Sequence, residues 1–464
     1  MFKFSFLLVF SLLFYHNEAL NQLCSVRKAE KNCICKRITD SEDLIATEAD
    51  CVRTNFDYFP TSEQLPKDLN LLDLSHNSLT KLDATETRFS SVTLETLKLS
   101  YNAISFISYG FFAEIPNLRI LVLSHNNIES LDSDEIFQKN PKITHLDLSF
   151  NFIHVIQAAT FSPLVELQVL DLSYNNHSLG ESLSQVRTLT DSGLGINPNI
   201  VRLSLDNIGL KDVQNGFFSN HTYLTHLSLA DNRFTQVPRV PYSVEYLDLS
   251  GTDISVLQAK ELSYHTLRVL RLERMKMLET IHHYAFYNLE ALEELSVKHC
   301  RNLREFNELV FGALQKNEET NLRKLSLAGN GLQSLNWTYK YLFRSLDFID
   351  LTDNPWKCDC DILWLQEFEN LYKSENVKCS SPLSLRSKQL FDVTDENVPT
   401  CYPQKYGKKS HRVLIAFLIL LVLILAALVG YLFYYSPSWW SGNRSRGIGP
   451  QSPYSASRIG EELT

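Results

Sequence analysis

The sequence predicts an α/β solenoid followed by one transmembrane α-helix. Its curved parallel sheet is built from short repeated units, and its convex side is mostly irregular or short-helical. Three observations predict it. The 464 residues include 74 Leu, far above the share in mixed globular composition. Those leucines recur at a fixed spacing, and two cysteine clusters bracket the recurring region ahead of a long uncharged apolar run. Length alone suggests about three domains, but a repeated unit extends one core to this length without splitting it. A net charge of -9 argues against nucleic acid as partner, because phosphate binding needs a basic surface.

Residues 1–19 read as a secretory signal: Lys3 precedes the apolar run Phe4 to Tyr15, too short to span a bilayer and the right size for a signal core. Residues 20–60 carry Cys24, Cys33, Cys35 and Cys51, and residues 355–403 carry Cys358, Cys360, Cys379 and Cys401. Cys-x-Cys pairs without His at finger spacing favour disulfide-stapled end modules in an oxidising compartment over zinc. Cys300 is left over.

Residues 61–354 repeat one phrase about twelve times. Leu69, Leu72, Leu74, Asn77 and Leu79 are matched by Leu94, Leu97, Leu99, Asn102 and Ile104, then by Leu118, Leu121, Leu123, Asn126 and Ile128. The Asn position continues through Asn151, Asn175, Ile208, Asn232, Thr252, Met275, Cys300, Asn330 and Asn354. This is the leucine-rich repeat pattern. Each x-L-x-L segment predicts a short strand with leucines inward. An interior Asn, both donor and acceptor, satisfies loop backbone groups of adjacent repeats. No unit buries its leucines alone, so the two ends need caps. Most intervals are 23 to 25 residues; the 33-residue one holds an inserted polar loop, 176–199, the 20-residue one a Pro-rich extended segment at Val237 to Pro241, and the 30-residue one a charged insertion.

Residues 404–412 are juxtamembrane, and 413–435 are 23 residues without a charge, long enough to cross a bilayer. Tyr431, Tyr434, Tyr435, Trp439 and Trp440 suit the headgroup layer. Residues 436–464 read as a short cytoplasmic tail, giving a single-pass type I protein of the plasma membrane. Lys405, Lys408, Lys409 and Arg412 oppose this by local charge, but a long domain behind a signal translocates regardless.

These residues resemble the extracellular leucine-rich repeat superfamily, of the typical class found in Toll-like and adhesion receptors. The run Asn354-Pro355-Trp356-Lys357-Cys358-Asp359-Cys360, with Leu363-Trp364-Leu365, Cys379 and Cys401, is similar to that family's C-terminal cap. The resemblance implies the pairs Cys358 with Cys379 and Cys360 with Cys401, and at the other end Cys24 with Cys35 and Cys33 with Cys51. The eight residues between Cys24 and Cys33 depart from the family's pattern. Toll-like receptors carry a cytosolic signalling domain that 436–464 is too short to hold, so the resemblance implies signalling through a partner.

Three sequons outside the membrane, at Asn176, Asn220 and Asn336, fall off the predicted strands and leave the concave sheet free of glycan, and a fourth, at Asn443 in the tail, is expected to stay unmodified. His76, Tyr101, His125, Phe150 and Tyr174 precede the Asn ladder in the first five repeats and predict an exposed column of rings, beside an acidic strip of Asp147, Asp171 and Asp248. Arg268, Arg271, Arg274, Lys298, Arg323 and Lys324 predict a basic later half. Both groups are candidate ligand contacts; the alternatives are a family habit of S-x-N and a solvated charged face. No catalytic motif, metal-ligand set or cofactor signature occurs. The expected function is adhesion molecule, receptor or co-receptor for an extracellular or membrane protein, with homo- or hetero-oligomers open. The alternative is an auxiliary subunit that modulates a channel or receptor complex through its transmembrane helix, resembling short-tailed leucine-rich repeat channel subunits.

Overall fold

In a computed structural model, the chain is described over residues 23–398, apart from 26–31, 41–42, 88, 132–134, 158, 190–194, 315–319, 372–376 and 395, and over the helix Lys409–Tyr435. The signal at 1–19, Cys401, most of the juxtamembrane segment and the tail at 436–464 lie outside the described residues. Two compact units result, Met1–Val398 and Pro399–Thr464.

The first unit is a solenoid of stacked parallel strands. A 15-stranded sheet runs through it in chain order, omitting the small convex pairs and the pair Trp356–Lys357 with Cys379–Ser381 in the C-terminal cap. Most strands are three residues long, such as Thr96–Lys98, Ile120–Val122 and His145–Asp147, each with its central Leu buried. Register aligns those centres: Leu72, Leu97, Leu121, Leu146 and Leu170 stand opposite one another in succession, and Leu203, Leu227, Leu247, Leu270, Leu295 and Leu325 continue the row. Burying such a side chain contributes about 1.5–3 kcal/mol, and only a neighbouring repeat provides the cover. Behind the leucines, Phe112, Phe137 and Phe161 stack at 5.9 and 6.3 Å and fill the convex half of the core.

The Asn ladder ties the turns together. Asn126 Nδ2 donates to the carbonyls of Leu99 and Leu123, both at 3.0 Å, and its Oδ1 accepts from the Ile104 amide at 3.1 Å. Asn102, Asn151 and Asn175 repeat the arrangement. Later positions thin out. Thr252 Oγ1 donates to Leu249, Cys300 Sγ donates to Leu272 and Lys298, and Ile208 and Met275 have no polar side-chain atom to offer.

The expected polar loop at 176–199 instead begins with an α-helix, His177–Ser184. Asn176 Oδ1 caps it by accepting from the Ser178 amide, and Leu179 and Leu183 bury on the inner face. That i, i+4 apolar pair behind an N-cap is a helix signature. Gly180 lets the helix touch the next repeat: its amide donates to Ile208 O at 2.9 Å, and a Cβ there would stand 2.4 Å from that oxygen. The convex side elsewhere carries short paired strands, such as Lys81–Leu82 with Phe106–Ile107, and the helix Tyr339–Phe343.

At the ends, Cys24 bonds Cys35, Cys33 bonds Cys51, and Cys358 bonds Cys379. Cys360 is disulfide-bonded as well. The strand Asp43–Asp50 pairs antiparallel with Cys33–Asp40 and parallel with Leu69–Asp73, which joins the N-terminal cap to the sheet. Trp356 closes the other end, fully buried, with Nε1 donating to Leu351 O at 3.0 Å.

The second unit contains the 27-residue helix Lys409–Tyr435. Its described side chains, from Phe417 to Tyr431 with Tyr434, are apolar or aromatic except at Gly430, and exposed. Among the described residues no helical stretch is long and apolar enough to cross a membrane.

Candidate functional site

The residue before each ladder position has a left-handed backbone in all twelve repeats. From His76 to Asp353 the twelve φ values lie between +49° and +69°. The turn demands it, since the amide at this position must point along the solenoid to the next repeat. His76 N donates to Ser100 O at 2.8 Å, Tyr101 N to Ser124 O at 3.1 Å and His125 N to Ser149 O at 3.0 Å; the series runs to Gly329 N on Thr352 O at 2.9 Å. Gly and Asn meet this demand cheaply, and Gly251, Gly329 and Asn207 occupy it in later repeats. An L-residue with a bulky side chain gives up roughly 1–2 kcal/mol there.

Five consecutive repeats nevertheless place rings at this position. Centroids of His76 and Tyr101 are 4.3 Å apart, Tyr101 and His125 4.0 Å, His125 and Phe150 4.2 Å, and Phe150 and Tyr174 4.4 Å, all within 10° of parallel. The rings stand at the turn that leaves each strand, at the edge of the sheet rather than on it. Stacking returns about 0.5–1.5 kcal/mol per pair and offsets part of the backbone cost. Tyr101 and Phe150 remain 47% and 42% exposed.

The column ends against carboxylates. Tyr174 Oη donates to Asp231 Oδ2 at 3.3 Å, and Arg274 Nη2 reaches the same carboxylate at 3.1 Å from two repeats downstream. Burial, then Asp231 and Asp206, hold the Tyr174 hydroxyl above its ordinary range. On the adjoining concave face lie Asp147, Asp171, Asp206 and Asp248. Each accepts from a nearby backbone amide, of Ser149, Ser173, Ala230 and Ser250 respectively. Among the described residues none of the four has a cation within 4.0 Å. Burial pushes Asp206 up to about 6 and Asp171 upward, with Asp248 and the neighbouring aspartates adding to it.

The later half differs from the expected basic field. Arg268 makes a two-pronged bond to Glu293, 3.0 Å at each prong. Arg271 and Lys324 both reach Glu294, at 3.8 and 3.4 Å, and Lys298 reaches Asp350 at 3.8 Å. Arg323 spends its guanidinium on the carbonyls of Thr320 and Ser345. The cations are present, but the surface they form is largely neutralised by carboxylates on adjacent repeats. Spacing within a repeat does not show these carboxylate partners, because each sits one repeat away or, for Lys298 and Asp350, two.

Asn176, Asn220 and Asn336 are exposed and off the strands. The Oδ1 atoms of Asn176 and Asn336 accept from the amides of Ser178 and Thr338, the residues that complete their sequons. Among the described residues no group of three His, Cys, Asp or Glu side chains is arranged to hold a metal ion.

The "Leucine rich repeat" family description matches residues 67–128 and 116–176. Chondroadherin of Rattus norvegicus is 31% identical over 112 residues, covering 24% of this chain and 29% of that protein. Toll-like receptor 2 type-1 of Gallus gallus is 24% identical over 260 residues, covering 51% of this chain and 29% of that one. The chain spans under a third of the length of these relatives. Among solved structures, a TLR13-ssRNA13 complex superposes with a TM-score of 0.57 at 25% identity, over 74% of this chain and 49% of that one. The mouse RP105/MD-1 complex gives 0.53 at 22% identity, over 75% and 53%, a likeness of fold.

Proposed function

We propose that this leucine-rich repeat protein, related to Toll-like receptors and chondroadherin, is a plasma-membrane recognition protein of type I topology. It acts without catalysis, as adhesion molecule, receptor or co-receptor for an extracellular or membrane protein. The observation that carries the reading is the column from His76 to Tyr174: rings held at a costly backbone conformation yet open to solvent are candidate anchors for a partner. A rigid curved array in which each repeat contacts only its neighbours suits binding over a broad surface. The exposed sequons lie off the strands, so glycans added there leave the sheet accessible. The apolar helix Lys409–Tyr435 supports membrane anchoring, with 1–19 as the secretory signal.

The test displays the full chain on cells and applies a panel of purified extracellular protein domains. Saturable binding to a member of the panel is expected. A correctly folded, surface-displayed chain that binds none of them, and promotes no cell–cell contact, would overturn the reading. Replacing 413–435 with an unrelated apolar helix separates the auxiliary-subunit alternative: recognition through the solenoid survives the exchange, and modulation through the helix does not.

A further inference from the structure

Building on the reading above, we infer that the ring column and the carboxylates Asp147, Asp171 and Asp206 beside it form one docking surface. Its partner is a protein segment that presents Arg or Lys next to an apolar side chain. Three observations meet here. The first is geometric continuity: Tyr174 closes the ring column and hydrogen-bonds Asp231 through its hydroxyl, and its amide donates to Asp206 O at 2.7 Å. Asp147 and Asp171 thus lie on the strands that lead into Phe150 and Tyr174, Asp206 follows at the next turn, and Asp248 stands apart behind Ser204 and Ser228.

The second is charge. Downstream, the solenoid supplies its own cation for Glu293, Glu294 and Asp350. Asp147 and Asp171 beside the rings, and Asp206 in the repeat that follows, have amide and hydroxyl donors only, while Asp248 accepts from Ser250 and Tyr246 and stands in register opposite Arg271. A carboxylate withdrawn from water and lacking a counter-charge is costly, and an arriving guanidinium or ammonium relieves that cost. The chain contains an internal example, since Arg274 already sits on Asp231 beside Tyr174. The third is the apolar component. The exposed edges of Tyr101 and Phe150 offer contact area, and the stacked rings lose little side-chain entropy when a partner lands on them. An acidic partner is disfavoured by the strip, and a wholly apolar one leaves the carboxylates more deeply desolvated than before.

The experiment uses the full chain in detergent micelles and fluorescent peptides of equal length. Arg residues around a central Leu-Leu pair increase from none to four, with Glu in place of Arg as the matched control. Anisotropy should report binding that strengthens with each Arg and weakens with salt. Two variant sets test the two components. Tyr101→Asn with Phe150→Asn removes rings at positions where Asn suits the backbone, as Asn207 does in a later repeat. The protein should therefore stay folded. Asp147→Asn with Asp171→Asn and Asp206→Asn removes charge and keeps the amide acceptors. Each set should weaken binding roughly tenfold or more, whereas Lys340→Ala, on the convex helix, should not.

Equal binding of Arg and Glu peptides, no binding at all, or loss in only one of the two sets with unchanged melting temperature would each overturn the inference. The same variants are then applied to the cell-display panel. If the wild-type chain binds an extracellular domain and both sets bind it equally well, the docking surface lies elsewhere and the recognition function stands. If the wild-type chain binds no member, the recognition reading itself falls.

Discussion

The first five repeats and those from Ile208 to Cys300 share one backbone and spend it differently. Upstream, each ladder position is an Asn that joins neighbouring turns, the position before it is a ring, and the concave carboxylates lack cations. Downstream, the ladder includes Ile208, Thr252, Met275 and Cys300, the position before it includes Gly251 and Arg274, and from Arg268 onward charges cancel across repeats. The left-handed turn and its inter-repeat amide bonds continue through both. The comparison teaches that the scaffold is held by leucines and backbone, which frees the turn side chain to vary. Upstream it is spent on exposed rings, downstream on self-pairing.

Four measurements would break or sharpen this contrast, in descending order of expected effect. At the boundary between the two regions, Gly180→Ala should destabilise by several kcal/mol, because the new methyl meets only backbone: Ile208 O at 2.4 Å, Leu210 N at 2.5 Å and Gly209 C at 2.6 Å. Thermal unfolding of the full chain reads this, and a loss under about 1 kcal/mol would show that the helix His177–Ser184 does not clamp the boundary. Asn126→Ala leaves the carbonyls of Leu99 and Leu123 and the Ile104 amide without their partner. About 3 kcal/mol should be lost, against about 1 kcal/mol for Cys300→Ala, whose thiol bonds are weak. Equal losses would erase the difference between complete and thinned ladders.

The third concerns pH. The folded-state pKa of Asp206 is about 6 against an ordinary 3.8, so the folded chain binds more protons than the unfolded chain between those values. Stability from this group therefore falls as pH rises from about 4 to about 6 and stays reduced above. Asp206→Asn should stabilise by about 1–2 kcal/mol at pH 7.5, and the gain should vanish near pH 3; a gain that is constant with pH would point to packing rather than charge. The smallest effect belongs to Arg268→Ala. Its pair with Glu293 is 52% and 45% exposed, and such pairs contribute about 0–1 kcal/mol, so melting should barely move in moderate salt.

Much of the fold was legible from spacing. Leu72, Leu97 and Leu121 identify strands that the register then aligns, and the S-x-N phrase located the rings before any geometry was known. Two features were not legible for physical reasons. The left-handed φ at Tyr101 or Phe150 runs against the preference of the residue type and is imposed by the turn and its inter-repeat hydrogen bond. The pairing of Arg268 with Glu293 and of Lys298 with Asp350 depends on which repeats are adjacent and how long their side chains reach. The helix at His177–Ser184 was legible after all: Asn176, Leu179 and Leu183 carry its cap and apolar face, but the glycines and sequon of the segment read as loop.

Cys300 has a consequence for assembly. Its thiol is fully buried, its pKa is pushed up to about 11, and it substitutes for an Asn in the ladder. Disulfide exchange requires thiolate attack, and at neutral pH such a group is ionised in roughly one copy in ten thousand. Once its repeat has closed, this sulfur is chemically silent toward the four cap bonds. Before closure it is an ordinary thiol in a chain still choosing partners for eight others. The order of events during folding therefore matters: repeats that close early remove a competitor before the distal cap, made from Cys358 and the cysteines after it, selects its pairing.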